Sequence, residues 1–170
     1  MTHPDEFNVF FAGDQIAAMV FLLALTMIVH GTGMVSTMQM AEQFDEWLTK
    51  RDLRRFGIAT LIVAALLIVT VHFLEVGIWS AFFYITGAVK DASDSFYFTL
   101  LEYVTLGSNI NLPFRWRNLE GAIAMSGLLT FAWSTSVLMA LVSRYQHEAL
   151  EHRRQRRTRN GEVTKRQSER

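Results

Sequence analysis

His72 and Glu75 lie one helical turn apart in an otherwise apolar stretch, so on a helix they share a face. An imidazole and a carboxylate at that spacing have two chemistries open to them, ligating a metal ion or holding and releasing a proton. Two ligands are too few for a closed metal site unless other groups join, and a structural hydrogen-bonded pair is the weightier expectation. His30, beside Gly31 and Gly33, reads as a helix break or a packing contact. Met34, Met38 and Met40 read as packing rather than a soft copper site. Glu102 is the most pointed residue, a carboxylate inside the aromatic and apolar stretch FYFTLLEYVTLGSNINLP of residues 96–113. An ionisable group at membrane depth is costly and faces protein or a water-filled cavity.

These residues sit in a chain whose composition already fixes its solvent. Of 170 residues, 51% are hydrophobic, and they gather into three blocks rather than scattering with the period of a soluble domain. Cysteine is absent, which excludes disulfides, thiolate metal sites and cysteine nucleophiles. The sequence carries no nucleophile elbow, phosphate-binding glycine loop or multi-ligand metal spacing, so no enzyme activity and no resident cofactor or metal is expected. Net charge is zero but unevenly spread: residues 144–170 hold nine Lys/Arg against four Asp/Glu, and the first fourteen residues hold three acids and no Lys or Arg. That asymmetry orients a membrane protein and gives no reason to expect nucleic acid as a partner.

The blocks are residues 16–38, interrupted by His30, Gly31 and Gly33; residues 57–88, with the unbroken run GIATLIVAALLIVTV; and residues 119–142. Asp5, Glu6 and Asp14 stand where a cleaved signal needs a basic region, so the first block is expected to stay as a membrane helix. Lys50, Arg51, Arg54 and Arg55 precede the second block, and Arg144 with the later arginines follows the third. Basic flanks stay in the cytoplasm. The N-terminus is therefore expected outside a bacterial-type inner membrane and the C-terminus inside, and residues 89–118 begin and end on the outer side. The expected organisation is an outside N-terminus and first span (1–38), an interfacial amphipathic linker helix (39–56), a module of two spans joined by the outer stretch (57–143), which the resemblance given below makes a pore module, and a basic tail (144–170). The tail is expected to start helical and fray after Asn160 and Gly161, and its arginines could touch anionic lipid headgroups.

Irregular backbone at membrane depth is tolerated only where protein buries it or where it lines a cavity. The segment after Tyr103, with Thr105, Gly107 and Pro113, has that character. Together with the span before it and the WRNLEG and WST elements after it, it resembles the two-helix pore module of the potassium-channel superfamily, whose pattern runs approximately FYFSxxTxTTxGYGDxxxP. Phe96, Tyr97, Phe98, Thr105, Gly107 and Pro113 fall in register without a gap. The resemblance implies an all-α membrane protein of three transmembrane helices: an extra N-terminal helix, an outer helix, a re-entrant pore helix with filter loop, and an inner helix. It also implies a homotetramer, because four loops must surround one axis to present rings of carbonyls to a permeant monovalent ion.

On this resemblance the selectivity filter is Thr105, Leu106, Gly107, Ser108 and Asn109, with Glu102 and Tyr103 supporting it and Gly127 as a candidate gating hinge. Thr105 keeps a hydroxyl and Gly107 a position open to positive φ. Asn109, in place of the second glycine, tolerates the left-handed region. Ser108 removes the family's bracing tyrosine, Ile110 removes the acidic residue after the filter, and Arg115 and Arg117 stand close to the outer mouth. Strict potassium selectivity is not expected. Glu102 is expected to accept hydrogen bonds from filter amides in place of the tyrosine brace. Three functions compete: an ion channel, a non-conducting pore-like regulatory or assembly partner, and an enzyme or metal-handling protein built on His30, His72 and Glu75.

Overall fold

A computed structural model of the chain describes residues 13–51 and 57–168. Four α-helices carry the described chain: α1 (Gly13–Lys50), α2 (Gly57–Ile85), the short α3 (Ala92–Tyr103) and α4 (Leu119–Ser168), with one 3-10 turn at Phe114–Trp116. No strand occurs among the described residues. Three of these helices are long and apolar enough to cross a membrane.

Each long helix exceeds a bilayer. The 38 residues of α1 extend roughly 57 Å, and the 50 residues of α4 roughly 75 Å, against a hydrocarbon core of about 30 Å. The interruption expected at His30, Gly31 and Gly33 does not occur, and α1 passes through all three. Both glycines are contact points instead: a Cβ on Gly33 would lie 2.6 Å from Val71 Cγ2, and one on Gly31 would lie 3.3 Å from the Trp133 ring. Close approach to α2 and α4 stabilises a helix that the glycines alone would weaken.

The part of the amphipathic linker up to Lys50 likewise continues α1 rather than forming a helix of its own. Phe44 and Trp47 stack there at 5.8 Å, and the Arg51 guanidinium lies 4.3 Å from the Trp47 ring. Residues 1–12 of the N-terminal segment and residues 52–56 of the linker lie outside the described residues. The fraying expected after Asn160 and Gly161 is also absent, since α4 continues to Ser168.

Between α2 and α4 the chain reverses and comes back. Asp91 caps α3, its carboxylate accepting from Ser93 N at 2.8 Å and Asp94 N at 3.2 Å. One face of α3 then packs along α2 and α4: Ser95 Oγ donates to Ser80 O at 2.8 Å, Phe98 meets Phe83 edge-on at 5.4 Å, and Tyr103 is buried at its end. The core that results, built on Trp79, Phe83, Phe98, Tyr103, Leu119 and Ile123, is wholly buried where α2, α3 and α4 meet.

Candidate functional site: a buried polar cluster beneath an irregular loop

α3 runs antiparallel to α2, its start beside Ser80 and its end at Glu75 and His72. From Glu75 to the end of α2 at Ile85 is roughly 15 Å, and from Leu119 to Gly127, which faces Tyr103, roughly 12 Å. Tyr103 thus stands well inside the ends of both long helices. Gly127 permits this, because a Cβ there would collide with the Tyr103 carbonyl oxygen. The residue expected as a hinge is the point where α3 touches the α4 backbone, and α4 is continuous through it.

After Tyr103 the helix ends and the chain becomes irregular to Pro113. Gly107 takes φ +73, the positive value its type allows. The non-glycine residue in the left-handed region is Thr105, at φ +61, whereas Asn109 does not enter it. A β-branched residue there is strained and must be held by its surroundings. Part of the hold is hydrogen bonding: Thr105 N donates to Glu102 O at 3.0 Å and Leu106 N to Leu101 O at 2.9 Å. Glu102 supplies another part, its carboxylate accepting from Ser108 N at 2.8 Å. The Ser108 hydroxyl closes a small turn, accepting from Ile110 N at 3.0 Å. Thr105, Leu106 and Gly107 are exposed, Leu106 to 74%. Arg115 forms an ion pair with Asp14 of α1, and its guanidinium also lies 4.8 Å from the Trp116 ring.

Beneath the loop lies a polar cluster whose members come from all four helices. Glu75 is wholly buried, and its two oxygens diverge: Oε1 lies 2.8 Å from His30 Nδ1, and Oε2 accepts from the Tyr103 hydroxyl. That hydroxyl also lies 2.8 Å from His72 Nδ1 and 2.6 Å from Thr130 Oγ1. On the opposite edges of the imidazoles, Ser134 Oγ stands 3.0 Å from His72 Nε2 and 3.4 Å from His30 Nε2. Phe131 and Trp133 close the cluster, Phe131 at 4.6 Å from the His72 ring and Trp133 at 5.4 Å from His30.

His72 and Glu75 were legible as a pair from their spacing, but their direct approach of 3.6 Å is longer than a hydrogen bond. Tyr103 joins them instead. His30 stood with them in the metal-handling reading by residue type alone, whereas Thr130 and Ser134 carried no signal, since they lie on another helix and no local spacing connects them. The methionines separate: Met34 is buried with its sulfur 3.8 Å from Ser134 Oγ, while Met38 and Met40 are exposed.

Comparison of the chain with protein-family models, with curated proteins and with solved structures finds no match.

Proposed function

We propose that the chain is one subunit of a homotetrameric ion channel of the membrane, in which α3 is a re-entrant pore helix and residues 105–109 line the conduction path. One observation carries this reading: α3 turns back between two membrane-length helices and releases an irregular, exposed backbone roughly 12–15 Å inside their ends, about half the depth of a hydrocarbon core. Such backbone is stable in a membrane only against protein or water. Three further subunits around an axis would supply both.

In that assembly α2 is the outer helix and α4 the inner one, with α1 packed peripherally on α2. The loop differs from a potassium filter in how it is braced. Glu102 holds the Ser108 amide, and Ser108 spends its hydroxyl within its own turn. The permeant species is a monovalent cation, with weaker preference for potassium than a tyrosine-braced loop would give, because no ring of acids follows the loop and no aromatic ring fixes its diameter.

Flux through purified protein in liposomes tests this, with potassium, sodium and chloride gradients applied separately and Gly107→Asp as the control. Cation flux abolished by Gly107→Asp is the expected result. No flux from a well-folded tetramer would favour a pore-like partner protein without conduction. Glu102→Gln keeps the size of the side chain but weakens its acceptor for the Ser108 amide; a changed reversal potential or current amplitude is expected. Currents and tetramer stability identical to those of the unsubstituted protein would end the bracing role.

A further inference from the structure

The cluster of His30, His72 and Glu75 brings two imidazoles and a carboxylate together in one buried place, with the Tyr103 hydroxyl among them. Ser134 Oγ stands at the far edge of both rings, 3.0 Å from His72 Nε2 and 3.4 Å from His30 Nε2, with the Met34 sulfur at 3.8 Å. Both rings turn Nδ1 towards Glu75 and Tyr103 and Nε2 towards Ser134. His30 Nδ1 is 2.8 Å from one carboxylate oxygen, the distance of an N–H···O bond whose proton a metal ion would replace. Tyr103 brings one hydroxyl proton to this face, and it goes to Glu75 Oε2, leaving His72 Nδ1 facing a phenol oxygen at 2.8 Å. No Lys or Arg reaches the cluster among the described residues. A carboxylate wholly inside a membrane bundle needs hydrogen bonds and an opposite charge about it; His30 and Tyr103 supply the first, and a divalent cation would supply the second.

We propose that His30, His72 and Glu75 form a site for one divalent transition-metal ion of the zinc or copper type. One donor atom from each residue lies within 4.8 Å of the other two, and all three residues are buried. Tetrahedral zinc with nitrogen ligands at about 2.0–2.1 Å places its ligand atoms about 3.4 Å apart, so small side-chain rotations close the set. Two imidazoles and a carboxylate are a donor set that favours zinc or copper over calcium or magnesium. The Tyr103 hydroxyl stands where a fourth ligand would be. Ser134 takes the outer-sphere part, fixing the tautomer and orientation of both rings from their far edges. The pair His72 and Glu75, too few by themselves, gain their third ligand from α1, so the ion would tie the peripheral helix to α2 and, through Tyr103, to the residue two places before Thr105. The inference stands on the cluster alone and holds whether or not the loop conducts.

Zinc is the probe. The full chain, purified in detergent as its native assembly and stripped with chelator, is dialysed against buffered Zn²⁺, and bound metal is counted by mass spectrometry. About one ion per chain is expected. His30→Gln and His72→Gln are each expected to lower affinity by about 100-fold or more, beyond the cost of losing an outer-sphere group, whereas His147→Gln, exposed on α4, leaves it unchanged. Binding that survives both cluster substitutions, or no binding by the stripped protein, overturns the site. Should either variant misfold, X-ray absorption at the zinc edge of the unsubstituted protein decides: two imidazoles and an oxygen ligand support the site, and fewer than two imidazoles overturn it.

Discussion

Tyr103 does two jobs with two ends of one residue. Its hydroxyl enters the polar cluster, and its carbonyl presses on α4 where only a glycine fits. Gly127→Ala would push a methyl group into that carbonyl and force α3 from its seat, at a cost of about 1–3 kcal/mol, as for other overpacked interiors. Gly77→Ala is the matched control, since no atom lies within 4 Å of a Cβ there; it should be neutral or gain up to about 1 kcal/mol in helix propensity. Thermal unfolding of the two variants in the same detergent checks the difference. At this scale the sequence was legible only in part. Glu102 stood out because a carboxylate amid aromatic residues has to be satisfied somewhere, and its partner at Ser108 lies on the adjoining loop. His30 could be grouped with His72 and Glu75 by residue type but not by spacing, because its partner is 45 residues away in the chain and on another helix.

Between elements, α1 and α2 are held by small contacts rather than by a polar seam along their length. Gly33 admits Val71, and the Trp79 indole N–H donates to Thr26 Oγ1 at 3.0 Å in a wholly buried setting. Thr26→Val keeps the shape and leaves the indole N–H unsatisfied. It should cost about 1 kcal/mol, within the range for hydrogen bonds between membrane helices, and clearly less in a Trp79→Phe background. A double-mutant cycle on unfolding free energy measures the coupling, and additive losses would show that the bond contributes nothing. The three long helices were readable from hydropathy alone, because burial in lipid imposes a run of apolar residues irrespective of partner. The ends of the helices were not. Gly31 and Gly33 weaken a helix in water but allow close packing in a bundle, so the same letters that signal a break in one solvent signal a contact in the other.

For the whole molecule, orientation is the property with the most direct test. The chain has no cysteine, so any introduced thiol is the only one present. Ser93→Cys, exposed at the start of α3, should react with a membrane-impermeant thiol reagent on intact cells, and Gln146→Cys, exposed on α4, only after the membrane is opened. The reverse pattern would invert the topology, and labelling of both from one side would remove the re-entrant arrangement. A fourfold multiple of 19.4 kDa in detergent, after correction for bound detergent, is the mass expected of the assembly.

Because the Tyr103 hydroxyl is gripped by Glu75 and its backbone stands two residues before Thr105, the loop inherits its position from groups that never touch it. A substitution at Glu75 or Thr130 would therefore counterfeit a loop mutation. In a genetic screen scored on the proposed ion flux, the residues recovered would map along α2 and α4 as readily as onto the loop, and the loop's own side chains could look dispensable beside them.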